Sequence, residues 1–365
     1  MTDRRTLPLT PREVVVFAGG GSGGHLTPAL AIAAALPPGI WPHVISCGRQ
    51  VERDLITRHR THDPTLRYDV LPHDAGRSGR TPLSRLRNAR DAERAAGRLL
   101  DAVRPRAVVG VGGYASVPTV LAAAKRRIPI TLLEQNAVAG RATELLAPLA
   151  SQVLAAMPLS RPLPRVGVVG NPIAAGFATV PRADSKTLLV LGGSQGAGGL
   201  NALLPQIVRR LPLAGWSVVH QCGAAHIDET QVSYEAMGFG SRVSVRATID
   251  DMPLALAGAG VVVSRAGATT LAELAAVGVP SMLVPSPTSV HDHQRRNAAF
   301  AREQGGVDVV EQDDADGLAA TLSVLLADRR LRRWRGEQIK RIANPNAASV
   351  CVDAILGSAS GRRVA

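Results

Sequence analysis

The chain has 365 residues, 45% of them apolar, and a formal charge of +13. That length suits two domains of ordinary size, each with its own core, and the apolar share with scattered Gly and Pro excludes a disordered chain. The charge favours an anionic partner, but an aromatic share of 3%, not interleaved with the basic residues, argues against a single-strand nucleic-acid platform.

Cys47, Cys222 and Cys351 are far apart and odd in number, which gives neither a disulfide framework nor metal-ligand spacing and points to a reducing compartment. After Arg4 and Arg5 the apolar run is only Val14 to Ala18, which is neither a signal peptide nor an anchor. No run reaches the ~18 apolar residues of a membrane span. The expectation is a protein that is soluble or attached to a surface from one side.

Val14 to Ala18 reads as a short buried strand, followed by the glycine turn Gly19-Gly20-Gly21-Ser22-Gly23-Gly24-His25 and a helix from about Pro28 to Leu36. The glycines fit a dinucleotide turn, which expects an acid after the second strand. Gly48-Arg49 follow the second strand, Val44 to Cys47, so NAD is disfavoured and NADP is supported only by Arg49. The glycines let a ligand or another backbone approach closely. His25 at the helix entrance reads either as a helix-end histidine bonded to backbone or as a reactive group.

Residues 74–90 carry Arg77, Arg80, Arg85, Arg87 and Arg90 with Leu83 and Leu86 between them. From Thr81 this segment reads as a loop entering a helix, which is either a solvated basic face or a surface for anionic lipid. Ala107 to Val111 is a strand leading into Gly112-Gly113-Tyr114, with a helix after Pro118. Strands follow at Ile128 to Leu133, ending in Glu134-Gln135-Asn136, then at Ser151 to Ala155 and Val166 to Val169. This alternation indicates a parallel, doubly wound sheet.

Gly170-Asn171-Pro172 breaks the chain, and the opening pattern then repeats. Thr187 to Leu191 is a strand, Gly192-Gly193-Ser194-Gln195-Gly196-Ala197 a second glycine turn, and a helix with Leu200, Leu203 and Leu204 follows. Further strands are expected at Ser217–His220, Val243–Arg246, Gly260–Val263 and Pro280–Val284. Between the last two, Ser264 to Glu273 opens a helix that stops at Gly278. Its N–H groups and positive dipole end suit phosphate, and Glu273 about one turn in can accept from a ribose diol. Asp250-Asp251 and Asp314-Ala315-Asp316 precede helices and read as caps rather than metal ligands. His291-Asp292-His293 has ligand types, but a structural metal there is the less favoured reading. A basic helix spans about 328–342, and a last helix, Ala347 to Leu356, can return to the first half.

Taken together, Gly19–His25, Gly112–Tyr114, Glu134–Asn136, Gly170–Pro172, Gly192–Ala197, Ser264–Glu273 and Asp292–Asn297 resemble, in order and spacing, the MurG family over about residues 14 to 350. The resemblance implies an α/β fold of GT-B type, with two Rossmann-like domains whose parallel sheets face a central cleft. It divides the chain into an acceptor- and membrane-associating domain, 1–169, and a UDP-GlcNAc domain, 170–345, with 346–365 packing back on the first. It implies inverting transfer of N-acetylglucosamine from UDP-GlcNAc to the 4-hydroxyl of lipid I, giving lipid II for peptidoglycan. No cofactor or metal is implied.

By the same resemblance, His25 is the catalytic base near the acceptor. The donor set is Ser22, Gly23, Asn136, Ser194, Gln195, Gly196, Ile249, Ala268, Thr269, Thr270, Glu273, His293 and Gln294, with the backbone of Ile249 at the uracil and Glu273 on the ribose. The acceptor diphosphate falls to Gly20, Gly21, Gly24, Gly112, Gly113 and Tyr114. Expected partners are UDP-GlcNAc, lipid I, the anionic inner-membrane surface and a cell-wall synthesis complex, with no nucleic acid. The expected location is the cytoplasmic face of the cell membrane, as a peripheral protein. Two positions depart from the family: Leu133 stands where it usually has His, and Ala174 where it usually has Arg, with Arg182 nearby. The alternatives are a GT-B enzyme with another lipid acceptor, such as a diacylglycerol, and a silent UDP-sugar-binding homologue.

Overall fold

Short aliphatic runs that end in glycine set the architecture, because a strand covered on both faces must be apolar along its length. A computed structural model describes residues 13–21, 23–72, 81–183, 185–193, 196–239 and 242–359. The first sheet holds β1 (Glu13–Ala18), β2 (Ile40–Ser46), β3 (Arg67–Val70), β4 (Ala107–Gly110), β5 (Ile130–Glu134), β6 (Gln152–Ala155) and β7 (Val166–Val168). The second holds β8 (Thr187–Leu191), β9 (Ser217–Gln221), β10 (Val243–Arg246), β11 (Val261–Ser264), β12 (Ser281–Leu283) and β13 (Val307–Val309). Their orders are β3-β2-β1-β4-β5-β6-β7 and β10-β9-β8-β11-β12-β13, and the paired strands run parallel.

The helices of the first half are α1 (Gly23–Ala34), α2 (Gln50–Arg60), α3 (Pro82–Val103), α4 (Ser116–Lys125) and α5 (Arg141–Leu146). Then come α6 (Gly176–Thr179), α7 (Gly198–Val208), α8 (Ile227–Ala236), α9 (Met252–Ala257), α10 (Ala268–Val277), α11 (His293–Glu303), α12 (Ala315–Ala327), α13 (Arg329–Ile339) and α14 (Ala347–Ala359). They cover both faces of each sheet. On β1, Val15 and Phe17 pack with Leu26 of α1, whereas Val14, Val16 and Ala18 pack with Leu100 of α3 and Val120 of α4. On β8, Leu189 and Leu191 meet Leu271 of α10, whereas Leu188 and Val190 meet Leu200 of α7 and Leu322 of α12. Each Val, Leu or Phe side chain so buried stabilises by about 1.5–3 kcal/mol. Cys351 and Ile355 of α14 join the core of the first sheet, and Gln152 Nε2 donates to the Ala354 carbonyl at 2.8 Å.

Three details differ from the sequence expectation. Helix α1 begins at Gly23, so Gly23, Gly24 and His25 form its first turn and Pro28 lies inside it. Pro28 has no N–H to give the carbonyl of Gly24, which leaves that carbonyl open to another donor. Helix α4 likewise begins at Ser116, ahead of Pro118. Strands β3 and β13 were not anticipated. Both are short edge strands, and an edge needs no long apolar run. Asp251 caps α9 through Leu254 N–H (2.9 Å) and Asp314 caps α12 through Gly317 N–H (2.8 Å). Among the described residues no helix is long and apolar enough to cross a membrane, and no group of three or more His, Cys, Asp or Glu is arranged to hold a metal.

Candidate active site

In each sheet the strand order reverses direction once, between β1 and β4 and between β8 and β11. Loops leaving the carboxyl ends of strands at such a reversal part to opposite sides and open a crevice. The four turns that follow these strands are Gly19–His25, Gly112–Tyr114, Gly192–Ala197 and Ser264–Thr270. Their described residues border one cleft of about 1180 Å³ between the two halves.

On the first wall, Gly20, Gly21, Gly23, Gly24, His25, Gly112, Gly113, Tyr114 and Asn136 line the cleft. The turns after β1 and β4 press together so closely that side chains are excluded. A Cβ on Gly113 would stand 2.5 Å from the Gly20 carbonyl oxygen, and one on Gly112 would stand 2.9 Å from the His25 ring. Both residues have positive φ, 71° and 96°. The imidazole of His25 is therefore packed against backbone, and burial pushes its pKa below the usual 6.5. Glu134 opposes that shift, the His293 charge adds to it, and a backbone hydrogen bond at Gly20 opposes it. A neutral imidazole results, in the state required of a proton acceptor.

On the second wall, Gly196, Ala268, Thr269, Thr270, His293 and Gln294 line the cleft. Helix α10 points its N-terminus there, with the unpaired N–H groups of its first turn. Thr269 Oγ1 donates to the carbonyl of Gly24 at 3.3 Å, the same carbonyl that Pro28 leaves open in α1. Gln294 accepts from the N–H of Ser286 (2.8 Å), and His293 Nδ1 donates to the Val290 carbonyl (2.6 Å). Both side chains are thus oriented by the loop before α11.

Not every expected residue is on these walls. Ile249 packs against the core of the second sheet, in the loop after β10, and does not line the cleft. Glu273 is half-buried on α10, five positions past Ala268, and does not line the cleft either. It has no hydrogen-bond or ion-pair partner among the described residues, and burial pushes its pKa up to about 8. Ser22, Ser194 and Gln195, like Arg77 and Arg80 of the basic segment, lie outside the described residues. Leu133 is buried in the first core and Ala174 is exposed. Arg182 spans the carbonyls of Gly278 and Ala259, at the far end of α10, and does not line the cleft.

Several site residues were not anticipated. Asn297 is fully buried on α11. It accepts from the N–H of Ala137 (2.9 Å) and donates to Asn136 Oδ1 and the Ala266 carbonyl (both 3.1 Å). Glu134 accepts from the N–H groups of Asn136 (3.1 Å) and Gly140 (2.9 Å), which closes the loop that carries Asn136. Gln221 accepts from Gly193 N–H (3.1 Å) and donates to the carbonyls of Gly193 and Ala247 (both 3.0 Å), bracing the second glycine turn. Arg265 faces the cleft, with its guanidinium on Gln312 Oε1 (2.6 Å). Glu134, Arg265 and Asn297 stood in the motifs that carry the resemblance, without an assigned role, and only the fold reveals what they touch.

Residues 15–155 match the glycosyltransferase family 28 N-terminal domain and residues 187–344 the glycosyltransferase family 28 C-terminal domain. A protein of Burkholderia thailandensis, named UDP-N-acetylglucosamine--N-acetylmuramyl-(pentapeptide) pyrophosphoryl-undecaprenol N-acetylglucosamine transferase, is 38% identical, covering 94% of this chain and 96% of its own. The crystal structure of Acinetobacter baumannii MurG superposes with a TM-score of 0.75 at 30% identity, over 94% of this chain and 99% of that one. The UDP complex of S. aureus MnaA shares the fold alone, with a TM-score of 0.70 at 14% identity over 97% and 99% of the two chains. The fold is accordingly GT-B, and the chain belongs to the MurG family of glycosyltransferases.

Proposed function

We propose that the chain transfers N-acetylglucosamine from UDP-GlcNAc to the 4-hydroxyl of lipid I, with inversion at the anomeric carbon, to give lipid II. The observation that carries this reading is the near end-to-end kinship with transferases of that name, joined to a cleft with His25 on one wall and the α10 N-terminus on the other. In this reading the second half (170–345) holds the donor and the first (1–169) the acceptor, with α14 returning to the first.

Neutral His25 takes the proton of the attacking hydroxyl as the new glycosidic bond forms. The bond from the anomeric carbon to the diphosphate oxygen breaks on the opposite side, and UDP carries away the electron pair. The N–H groups at the start of α10 stabilise the charge that gathers on the diphosphate. Ser22, Gly23, Ser194, Gln195 and Gly196 extend this donor site along the glycine turns, and in this reading the backbone of Ile249 meets the uracil and Glu273 the ribose.

The enzyme works as a peripheral protein at the cytoplasmic face of the membrane. Leu83 and Leu86 at the start of α3 are 77% and 48% exposed beside Arg85 and Arg87, a mix that suits anionic lipid.

The test is transfer of labelled N-acetylglucosamine from UDP-GlcNAc to a short-chain lipid I analogue, with a diacylglycerol acceptor alongside. Turnover of lipid I is expected. Turnover of the diacylglycerol alone moves the enzyme to a sister activity, and UDP binding without turnover marks a silent homologue.

A further inference from the structure

Beneath the first glycine turn lies a carboxylate that the reaction itself does not use. Glu52, in the first turn of α2, is 1% exposed and does not line the cleft. Three donors converge on it: the N–H of Gly21, the hydroxyl of Ser46 (2.7 Å) and the N–H of Arg49 (2.9 Å). Ser46 is held in turn by Tyr68 Oη at 2.9 Å. A Cβ on Gly20 would collide with the Glu52 carboxylate, so the turn sits directly on this group.

This arrangement has a consequence for anion binding. The N–H of Gly21 points inward, to Glu52, and is not available to a ligand in the cleft. On the outer side of the same residue, the guanidinium of Arg49 donates to the Gly21 carbonyl at 3.0 Å. Arg49 is exposed and lines the cleft. Gly21 is thus gripped from within by an acid and from without by a base, and the base faces the open space. A guanidinium offers several donors in a fork that fits phosphate oxygens, and one held by its neighbours loses less freedom on binding.

We propose that Arg49 is a substrate-binding residue for the diphosphate of the acceptor, and that Glu52 is the positioning residue that holds both Arg49 and Gly21 for it. This rests on the acceptor reading given above. Arg49 meets the acceptor at the lip of the first glycine turn, on the wall that carries His25, while the donor diphosphate lies across the cleft at α10.

The test compares Arg49→Ala, Arg49→Lys and Glu52→Gln with the parent enzyme, using a short-chain lipid I analogue and a second analogue with a neutral linker in place of the diphosphate. Arg49→Ala should raise the KM for the diphosphate acceptor by about 10- to 100-fold, the scale of a lost hydrogen bond to a charged group. The KM for UDP-GlcNAc and the melting temperature should stay unchanged, and the penalty should vanish with the neutral linker. Arg49→Lys should restore part of the affinity. Glu52→Gln should weaken the diphosphate acceptor in the same selective way. An unchanged acceptor KM in Arg49→Ala overturns the proposal, and so does an equal loss for both acceptors or a parallel loss of donor affinity. Equilibrium binding of the diphosphate analogue separates this result from failure of the acceptor reading. If the parent binds the analogue without turnover, the reading fails, and the Arg49→Ala affinity still decides the proposal. If the parent does not bind it at all, both fail.

Discussion

Asn297 Nδ2, on α11 of the second half, donates to Asn136 Oδ1 in the loop after β5 of the first half, at 3.1 Å. The same side chain holds the N–H of Ala137 and the carbonyl of Ala266. One buried amide thus joins both walls of the cleft. Asn297→Ala should leave these partners unsatisfied and lower stability by about 1–3 kcal/mol, with a further drop in kcat/KM because Asn136 loses its anchor. Urea unfolding and steady-state kinetics on the same preparation check this, and full activity at parent stability would reject it.

His25 should behave as the base. His25→Ala should reduce kcat by roughly 10²- to 10⁴-fold and leave UDP affinity intact. Because burial lowers its pKa, the midpoint of imidazole protonation lies below pH 6.5. The acidic limb of the pH profile of kcat/KM should therefore fall below 6.5. A limb above that value, or a limb that persists in His25→Ala, would assign the base elsewhere.

Glu273, with its pKa pushed up to about 8, is largely protonated at neutral pH in the unliganded protein. If its carboxylate accepts the ribose hydroxyls, UDP affinity should strengthen as pH rises toward 8 and level off above. Glu273→Ala should weaken UDP by about 10- to 100-fold, and Glu273→Gln should abolish the pH dependence. Calorimetric titration of UDP at pH 6.5, 7.5 and 8.5 reads both effects. Equal affinity in parent and variants would exclude this residue from the ribose site.

His220 lies fully buried between Tyr234 Oη (3.0 Å) and Asn201 Oδ1 (3.1 Å), and burial lowers its pKa to about 4. The unfolded chain binds a proton there near 6.5 and the folded chain does not until about 4. Its contribution is thus complete above pH 6.5 and is lost as pH falls from 6.5 through 4. The loss amounts to about 3 kcal/mol by the usual conversion. Denaturant unfolding at pH 7.5 and 5 should show the decline, and His220→Gln should flatten it.

Leu83→Glu with Leu86→Glu should weaken sedimentation with anionic vesicles and spare transfer to a water-soluble acceptor analogue. Both residues are already exposed, so the fold should tolerate the change. Undiminished vesicle binding would move the membrane surface away from α3.

The sequence by itself determined the two parallel sheets, the glycine turns that follow β1 and β8, and the motif order that marks the family. These are local: an aliphatic run, a glycine and a helix signal are neighbours in the chain, and their periodicity reports burial directly. The caps Asp251 and Asp314 were legible for the same reason. Only the tertiary structure decided that Gly24 and Thr269 touch, that Asn297 ties both walls, and that Glu52 sits under Gly21. These contacts join residues 245, 161 and 31 positions apart. Pro28 shows the limit clearly. Its sequence reading placed it at the start of α1. In the fold it lies inside the helix, because Gly23 and Gly24 begin the helix earlier and the carbonyl that Pro28 leaves open finds its donor on the opposite domain. A side chain's hydrogen-bond partner is chosen by what packs against it, and packing across a cleft leaves no period in the sequence.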